Sequence, residues 1–422
     1  MNLTKAWAAQ LDDFVIDLAW SPAGRALAAA SAAGPVSLFD GATGARLHEL
    51  RGHADGTNAI AFAPAGQTPE VSSQKSEVSG RKSEVGGRKS EVGGQGAEVS
   101  AQRSEVGSQR AEVSDQRSEV GGHTSEASGL PSDVHPPISA LLATGGQDGK
   151  VRFWDIAAGR QSAEADAGRG AWVDHLQWRP ASCSPVSGIR SPVSAPPVLA
   201  VSAGRKLLLL NPEGSLVHAF KDAPKSISAL AWHPRGGAIA AASFGSVMIL
   251  DADDFQVQRE YRYGSAIEKL VWSPDGRWLV AGAQDNAVHL WIPEEGQEFH
   301  MSGYETKVRE LSFSPDSRWL ATGGARDVCV WDCTGAGPEG REPIALPHAG
   351  RVCAVAFQHS HGLLASAAQD CEVALWSLAG GETRVATVRL TAPASNLAWS
   401  PDDSLLAIGS QKGGVLVLRV KS

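Results

Sequence analysis

The stretch Ser139–Arg160, SALLATGGQDGKVRFWDIAAGR, decides how the rest of the chain is read. A short apolar run ends at Thr144, a Gly-rich turn carries Asp148, and a second run alternates Val151 and Phe153 before closing on Trp154 and Asp155. Two short apolar runs joined by a tight turn predict a β-hairpin. Degenerate copies of this stretch recur seven more times, so the chain is first of all a repeat array.

A second phrase, VxxLxWSPxGxxLAxA, sets the ruler. Its aromatic anchor falls at Trp20, Phe62, Trp178, Trp232, Trp272, Phe313, Phe357 and Trp399, and the last five are 40, 41, 44 and 42 residues apart. That period is expected when each unit is a four-stranded propeller blade. Two longer gaps coincide with residues 67–137 and 181–195, which read as inserts. Without them, eight units of 42 residues remain.

Two residues before each anchor stands a large aliphatic side chain, from Leu18 and Ile60 to Val355 and Leu397. One residue before, the column is mostly Ala. Large on one face and small on the other suits an innermost strand packed between neighbouring sheets. The last unit ends after its third strand, at Val415–Val420, while Thr4–Ala9 precedes the first anchor where an outer strand belongs. The N-terminal segment is therefore expected to supply the missing strand and close the ring, which removes an open sheet edge.

The hairpin, its Trp154-Asp155 ending and the upstream Gly52-His53 pair resemble the WD40-repeat family. That resemblance implies an all-β, eight-bladed propeller, with seven blades the alternative, in one domain over residues 1–422. It also implies a buried polar series in each blade: a His before the first strand, a Ser or Thr on the second, an Asp in the next turn and a Trp on the third. Residues His53, Thr144, Asp148 and Trp154 match in blade 2, and His348, Ser366, Asp370 and Trp376 in blade 7. A His beside a hydroxyl and an Asp could suggest a hydrolytic triad, but a set that recurs as a blade strut reads as structure. Blades 5 and 6 place Tyr263 and Tyr304 at the His position, read as packing substitutes.

Residues 70–134 carry a valine every seven positions from Val71 to Val120, within Ser, Gly, Glu, Lys, Arg and Gln. A heptad seam needs two apolar positions, and this composition buries too little surface to order itself. A disordered low-complexity loop between the first two strands of blade 2 is expected, and a smaller one lies at the same place in blade 3. Lengthening a turn this far costs about 2–3 kcal/mol of closure entropy.

The net charge of −8 argues against a nucleic-acid partner. No run of about 18 apolar residues and no signal-like N-terminus is present, so a cytoplasmic protein without membrane attachment is expected. Five cysteines without a CxxC pair suit reduced thiols. Neither His359 with His361 nor Cys329 with Cys333 comes with further ligands at the usual spacing, so no metal and no cofactor is expected.

Function is expected on the face opposite the inserts. There blades 6 and 7 carry Lys307, Arg309, Arg326 and Arg351, and blades 3 and 4 carry Trp172 and Phe244. Arg and Trp are residues that anchor interfaces. The family resemblance implies a non-enzymatic scaffold that assembles other proteins, as a monomeric propeller within a complex. The alternative is a propeller enzyme or a metal or small-molecule sensor using the central channel, which needs polar groups from several blades where the columns read mostly Ala and Leu.

Overall fold

The computed structural model describes residues 2–65, 140–168, 170–181, 197–379 and 383–421. The inserts expected at 67–137 and 181–195 lie, apart from Ala181, outside the described residues. The strands flanking the first, Thr57–Phe62 and Leu141–Gly146, pair directly, and Ala63 N donates to the carbonyl of Leu141 at 2.9 Å. The chain thus leaves and re-enters the sheet at adjacent positions.

Eight four-stranded antiparallel sheets form, which sets aside the seven-blade alternative. Blade 1 runs Val15–Trp20, Ala26–Ser31, Val36–Asp40 and Arg46–Leu50 from its inner to its outer strand. The inner strands of blades 2 to 8 are Thr57–Phe62, Val173–Trp178, Ile227–Trp232, Ile267–Trp272, Leu311–Phe313, Val352–Phe357 and Ala394–Trp399. Each inner strand touches the inner strands of both neighbours, including blade 8 against blade 1. These contacts complete a closed ring of eight.

The closure expected from the sequence is present. Asn2–Gln10 is the outer strand of blade 8, antiparallel to Gly414–Lys421, with Thr4 opposite Arg419 and Ala9 opposite Val415. Trp7 on this strand is buried and its indole donates to the carbonyl of Gly41 in blade 1 at 3.0 Å. Both ends of the chain are thereby tied into one sheet.

The core is divided among the blade interfaces. One buried cluster lies between each adjacent pair: Phe153, Trp178 and Leu199 between blades 2 and 3, Trp7, Leu18 and Val415 between blades 8 and 1, and so around the ring. A fully buried Leu or Phe contributes about 1.5–3 kcal/mol, and each does so only while two blades face each other. A single blade could not hold its own fold. The second strands, buried on both faces, are accordingly made of small residues, as in ALAAAS at Ala26–Ser31 and AIAAAS at Ala238–Ser243. At the closing interface Gly409 of blade 8 leaves no room for a side chain, since a Cβ there would lie 2.7 Å from Val15 Cγ1.

The anchor tryptophans latch the ring. Trp20, Trp178, Trp232, Trp272 and Trp399 each donate their indole N–H to the carbonyl one residue before the anchor in the preceding blade, at Ala398, Ala61, Gln177, Ala231 and Ala356, with lengths of 2.9–3.1 Å. In four of the five the residue before the anchor is Ala, and Gln177 is the exception. Blades 2, 6 and 7 have Phe as anchor, which lacks the donor; in blade 7 Phe357 N donates to Ser312 Oγ of blade 6 instead.

Candidate binding face and channel mouth

In blade 2 the polar series assembles in the expected order. His53 Nδ1 lies 2.7 Å from Asp148 Oδ1, its Nε2 lies 2.9 Å from Thr144 Oγ1, and Trp154 Nε1 donates to the same hydroxyl oxygen at 3.0 Å. With a proton on Nδ1 donated to Asp148, Nε2 accepts the threonine O–H and the chain runs in one direction. Burial pushes His53 below its usual pKa, and Asp148 only partly offsets this. Burial alone would raise the Asp148 carboxyl, but hydrogen bonds from His53 and Arg152 outweigh it and leave it low. His53 and Thr144 are sealed from solvent, so the set has no room for a substrate.

Blade 7 keeps only part of the series. His348 Nε2 and Trp376 Nε1 both meet Ser366 Oγ at 2.7 Å. Asp370 does not reach His348, whose Nδ1 is buried without a partner; its Oδ2 accepts from the backbone of Ala349 and Gly350 at 2.9 and 3.1 Å. The two sets share a sequence spacing but not a hydrogen-bond network. In blade 6, Tyr304 does more than pack: its hydroxyl lies 2.9 Å from Thr322 Oγ1 and accepts from Trp331 Nε1 at 2.9 Å. In blade 5, the Tyr263 hydroxyl donates to Asp285.

In an antiparallel blade the turns after the second strand and the links between blades emerge on the face opposite the inserts. Trp172, Lys307, Arg309 and Arg351 lie on such links and Phe244 and Arg326 on such turns. Lys307, Arg309 and Arg351 converge, together with Lys269, around a cavity of about 380 Å³ between the inner strands of blades 5 to 8. Arg326 is exposed on its turn and is not part of this lining. Lys307 and Arg309 are not free cations: both pair with the largely buried Glu268 of blade 5, at 3.2 and 2.7 Å. Trp172 and Phe244 stand apart on blades 3 and 4, 54% and 56% exposed, which is rare for large apolar side chains here.

The Ala and Leu columns misjudged the channel. Polar residues stand three and four positions before the anchor, at Asp17, Asn58, Asp174, His175, Glu268, Lys269, Glu310 and Asn396, and Lys269, Glu310 and Asn396 among them line the cavity. The physical reason is a β-bulge in seven of the inner strands, between the fifth and third residues before the anchor. A bulge re-aims side chains and breaks the alternation, so positions that strict alternation would hide open on the mouth. Asn58 Nδ2 donates to Asp174 Oδ1 at 3.2 Å from one blade to the next. Burial raises Asp17 to about 6 against hydrogen bonds from Ile60 and Leu18 N–H, and burial also raises Glu310. Reading two residues further back along each column would have found this belt.

The metal pairs considered from sequence serve other ends. His359 and His361 both bond the buried carboxylate of Asp403, at 2.9 and 3.3 Å. Burial raises the Cys329 and Cys333 thiols to about 11 and about 12. A set that spacing did not suggest does come together in blade 5, where Asp285, His289 and His300 hold potential ligand atoms within 4.8 Å of one another.

Comparison with known proteins adds the following. The WD domain, G-beta repeat family matches residues 115–155, 257–291, 296–332 and 342–377, and the Anaphase-promoting complex subunit 4 WD40 domain matches 1–65. Telomerase protein component 1 of Mus musculus is 25% identical over 203 residues, 47% of this chain and 6% of that protein. The transcriptional corepressor LEUNIG_HOMOLOG of Arabidopsis thaliana is 26% identical over 251 residues, 57% of this chain and 29% of that protein. Coronin-7 of Homo sapiens is 26% identical over 162 residues, 38% of this chain and 14% of that protein. The chain thus spans less than a third of the length of these relatives. The crystal structure of the computationally designed Ika8 protein superposes with a TM-score of 0.65 at 17% identity, covering 97% of this chain and 98% of that one.

Proposed function

This chain belongs to the WD40-repeat family, and from that membership we propose that it is a non-enzymatic platform on which other proteins assemble. The docking surface is the face opposite the inserts, centred on the channel mouth, and the partner presents an acidic segment. The observation that carries this reading is the convergence of Lys269, Lys307, Arg309 and Arg351 on one cavity, against the two carboxylates Glu268 and Glu310 among the described residues. With four cations against two carboxylates, the mouth is locally cationic on a chain of net charge −8. Complementary charge of this kind steers a partner and sets its register. Trp172 and Phe244, on the same face, offer apolar anchors for a partner long enough to reach blades 3 and 4.

The cavity's chemistry supports binding over catalysis. The thiol in its lining, Cys353, lies within hydrogen-bonding distance of the carbonyls of Ala367 and Ala394, and burial followed by the Glu310 charge raises it to about 12; a nucleophile needs the thiolate. Being a monomeric cytoplasmic propeller within a complex belongs to this same proposal. The test is affinity capture with the wild type and with Lys269→Glu/Arg351→Glu, after showing equal melting temperatures. Loss of a specific protein partner from the variant supports the docking face. Identical partners on both remove it.

A further inference from the structure

Of three equivalent positions, blades 2 and 5 share one and differ at two. In blade 2, Asp148, Arg152 and Glu164 form a chain of ion pairs: Arg152 meets Asp148 at 2.9 Å and Glu164 at 3.0 Å. Arg152 and Glu164 face each other across the third and outer strands, and Asp148 lies in the preceding turn. In blade 5 the same turn carries Asp285, and the same cross-strand pair is His289 opposite His300. The arginine that supplied the central positive charge has become a histidine.

His289 is only 5% exposed. Neither ring nitrogen has a hydrogen-bond partner. A buried polar group without a partner costs roughly 1–3 kcal/mol, and here two nitrogens on one ring stand open. The facing residue on the second strand is Ala281, where blade 2 has Thr144, so the strut offers no hydroxyl either. The ring is packed against Tyr263 at 3.9 Å and His300 at 4.5 Å between centroids.

We propose that Asp285, His289 and His300 bind a divalent transition-metal ion of the zinc type, which supplies the positive charge that Arg152 supplies in blade 2. The ligand atoms already lie within 4.8 Å of one another. A tetrahedral zinc with ligands at about 2.0–2.2 Å holds them about 3.4 Å apart, a distance reached by side-chain rotation of the two exposed ligands. Two imidazoles and one carboxylate suit zinc, nickel or copper over calcium or magnesium, which require oxygen. The Tyr263 hydroxyl, donating to Asp285, orients the carboxylate from the outer shell. Asp285 and His300 are exposed, so the fourth coordination position faces solvent on the docking side of the ring. The site lies on the third and outer strands and the turn that precedes the third, and does not depend on what docks at the channel mouth.

The test uses the full chain, stripped of metal, with Co²⁺ as a spectroscopic probe and Zn²⁺ as its competitor. One Co²⁺ per chain with tetrahedral visible bands, displaced by Zn²⁺, is expected for the wild type. His300→Gln and Asp285→Asn alter exposed side chains and should keep the melting temperature in chelator while weakening binding by about tenfold or more; Tyr263→Phe should weaken it by about 10–100-fold. His359→Ala/His361→Ala should bind as the wild type does. Wild type that fails to bind Co²⁺, equal binding by His300→Gln and Asp285→Asn, or loss only in the His359 and His361 variant would each overturn the proposal.

Discussion

The indole nitrogen of Trp20 donates to the carbonyl of Ala398 at 3.0 Å, a hydrogen bond between residues 378 positions apart that joins the first blade to the last. It is one of five equivalent latches, and the one that spans the closure. Trp20→Phe removes the donor and part of a buried ring, and should cost about 1–2 kcal/mol. Urea melts of the variant and the wild type would measure it. An unchanged midpoint would mean that the ring closes on packing alone.

Closure rests more heavily on the N-terminal strand. Deleting residues 1–10 removes Trp7 from the blade 8–blade 1 cluster and exposes the whole edge of Gly414–Lys421. The expected result is a lower melting temperature for the entire domain in one transition, because every interface depends on the ring. If calorimetry finds the truncated chain melting with the full one, the strand is ornamental.

The strut of blade 2 should be worth more than its size suggests. Thr144→Val keeps the volume but strands both His53 Nε2 and Trp154 Nε1, at roughly 1–3 kcal/mol for each buried group left unpaired. Chemical denaturation should therefore show a loss of about 2–4 kcal/mol. A loss below about 0.5 kcal/mol, the range of a surface change, would show that the series is dispensable.

Asp17 makes stability depend on pH in the direction opposite to most carboxylates here. Its folded pKa of about 6 lies above the usual carboxylate value, so the folded state keeps a proton that the unfolded chain has released. Below about pH 4 both states hold the proton and no penalty exists; as pH rises to about 6 the penalty grows to at most about 3 kcal/mol and then stays. Asp17→Asn should therefore gain on the wild type by about 2 kcal/mol between about pH 4.5 and about pH 7.5, measured by urea melts at both. An equal difference at both pH values would mean that Asp17 is charged in the fold.

Excising residues 67–137 and joining the ends of Thr57–Phe62 and Leu141–Gly146 with a short turn should leave the melting temperature within a few degrees. Those strands pair with each other without help, and Ala63 already bonds Leu141. A collapse of stability, read by calorimetry, would show that the segment holds the ring together.

The sequence by itself determined the number of blades, the strand that lines the axis and the strand that closes the ring. Those follow from a 42-residue period and a column of anchors, which are local patterns repeated often enough to be read through substitution. Tertiary structure alone decided what the repeats do at their margins. Identical His-to-anchor and Asp-to-Trp spacings produced a complete hydrogen-bond series in blade 2 and a broken one in blade 7, because whether Asp370 meets His348 or the backbone of Ala349 and Gly350 is a matter of side-chain direction. A bulge in the inner strands turned a polar belt onto the channel mouth that the Ala and Leu columns concealed. Glu268 of blade 5 paired with two of the four cations read as a free patch, and Arg326 fell outside it. His289 and His300, eleven residues apart in sequence, became neighbours only because the outer hairpin of blade 5 pairs them in register. Period is written along the chain, whereas proximity across strands and between blades exists only once the ring has closed.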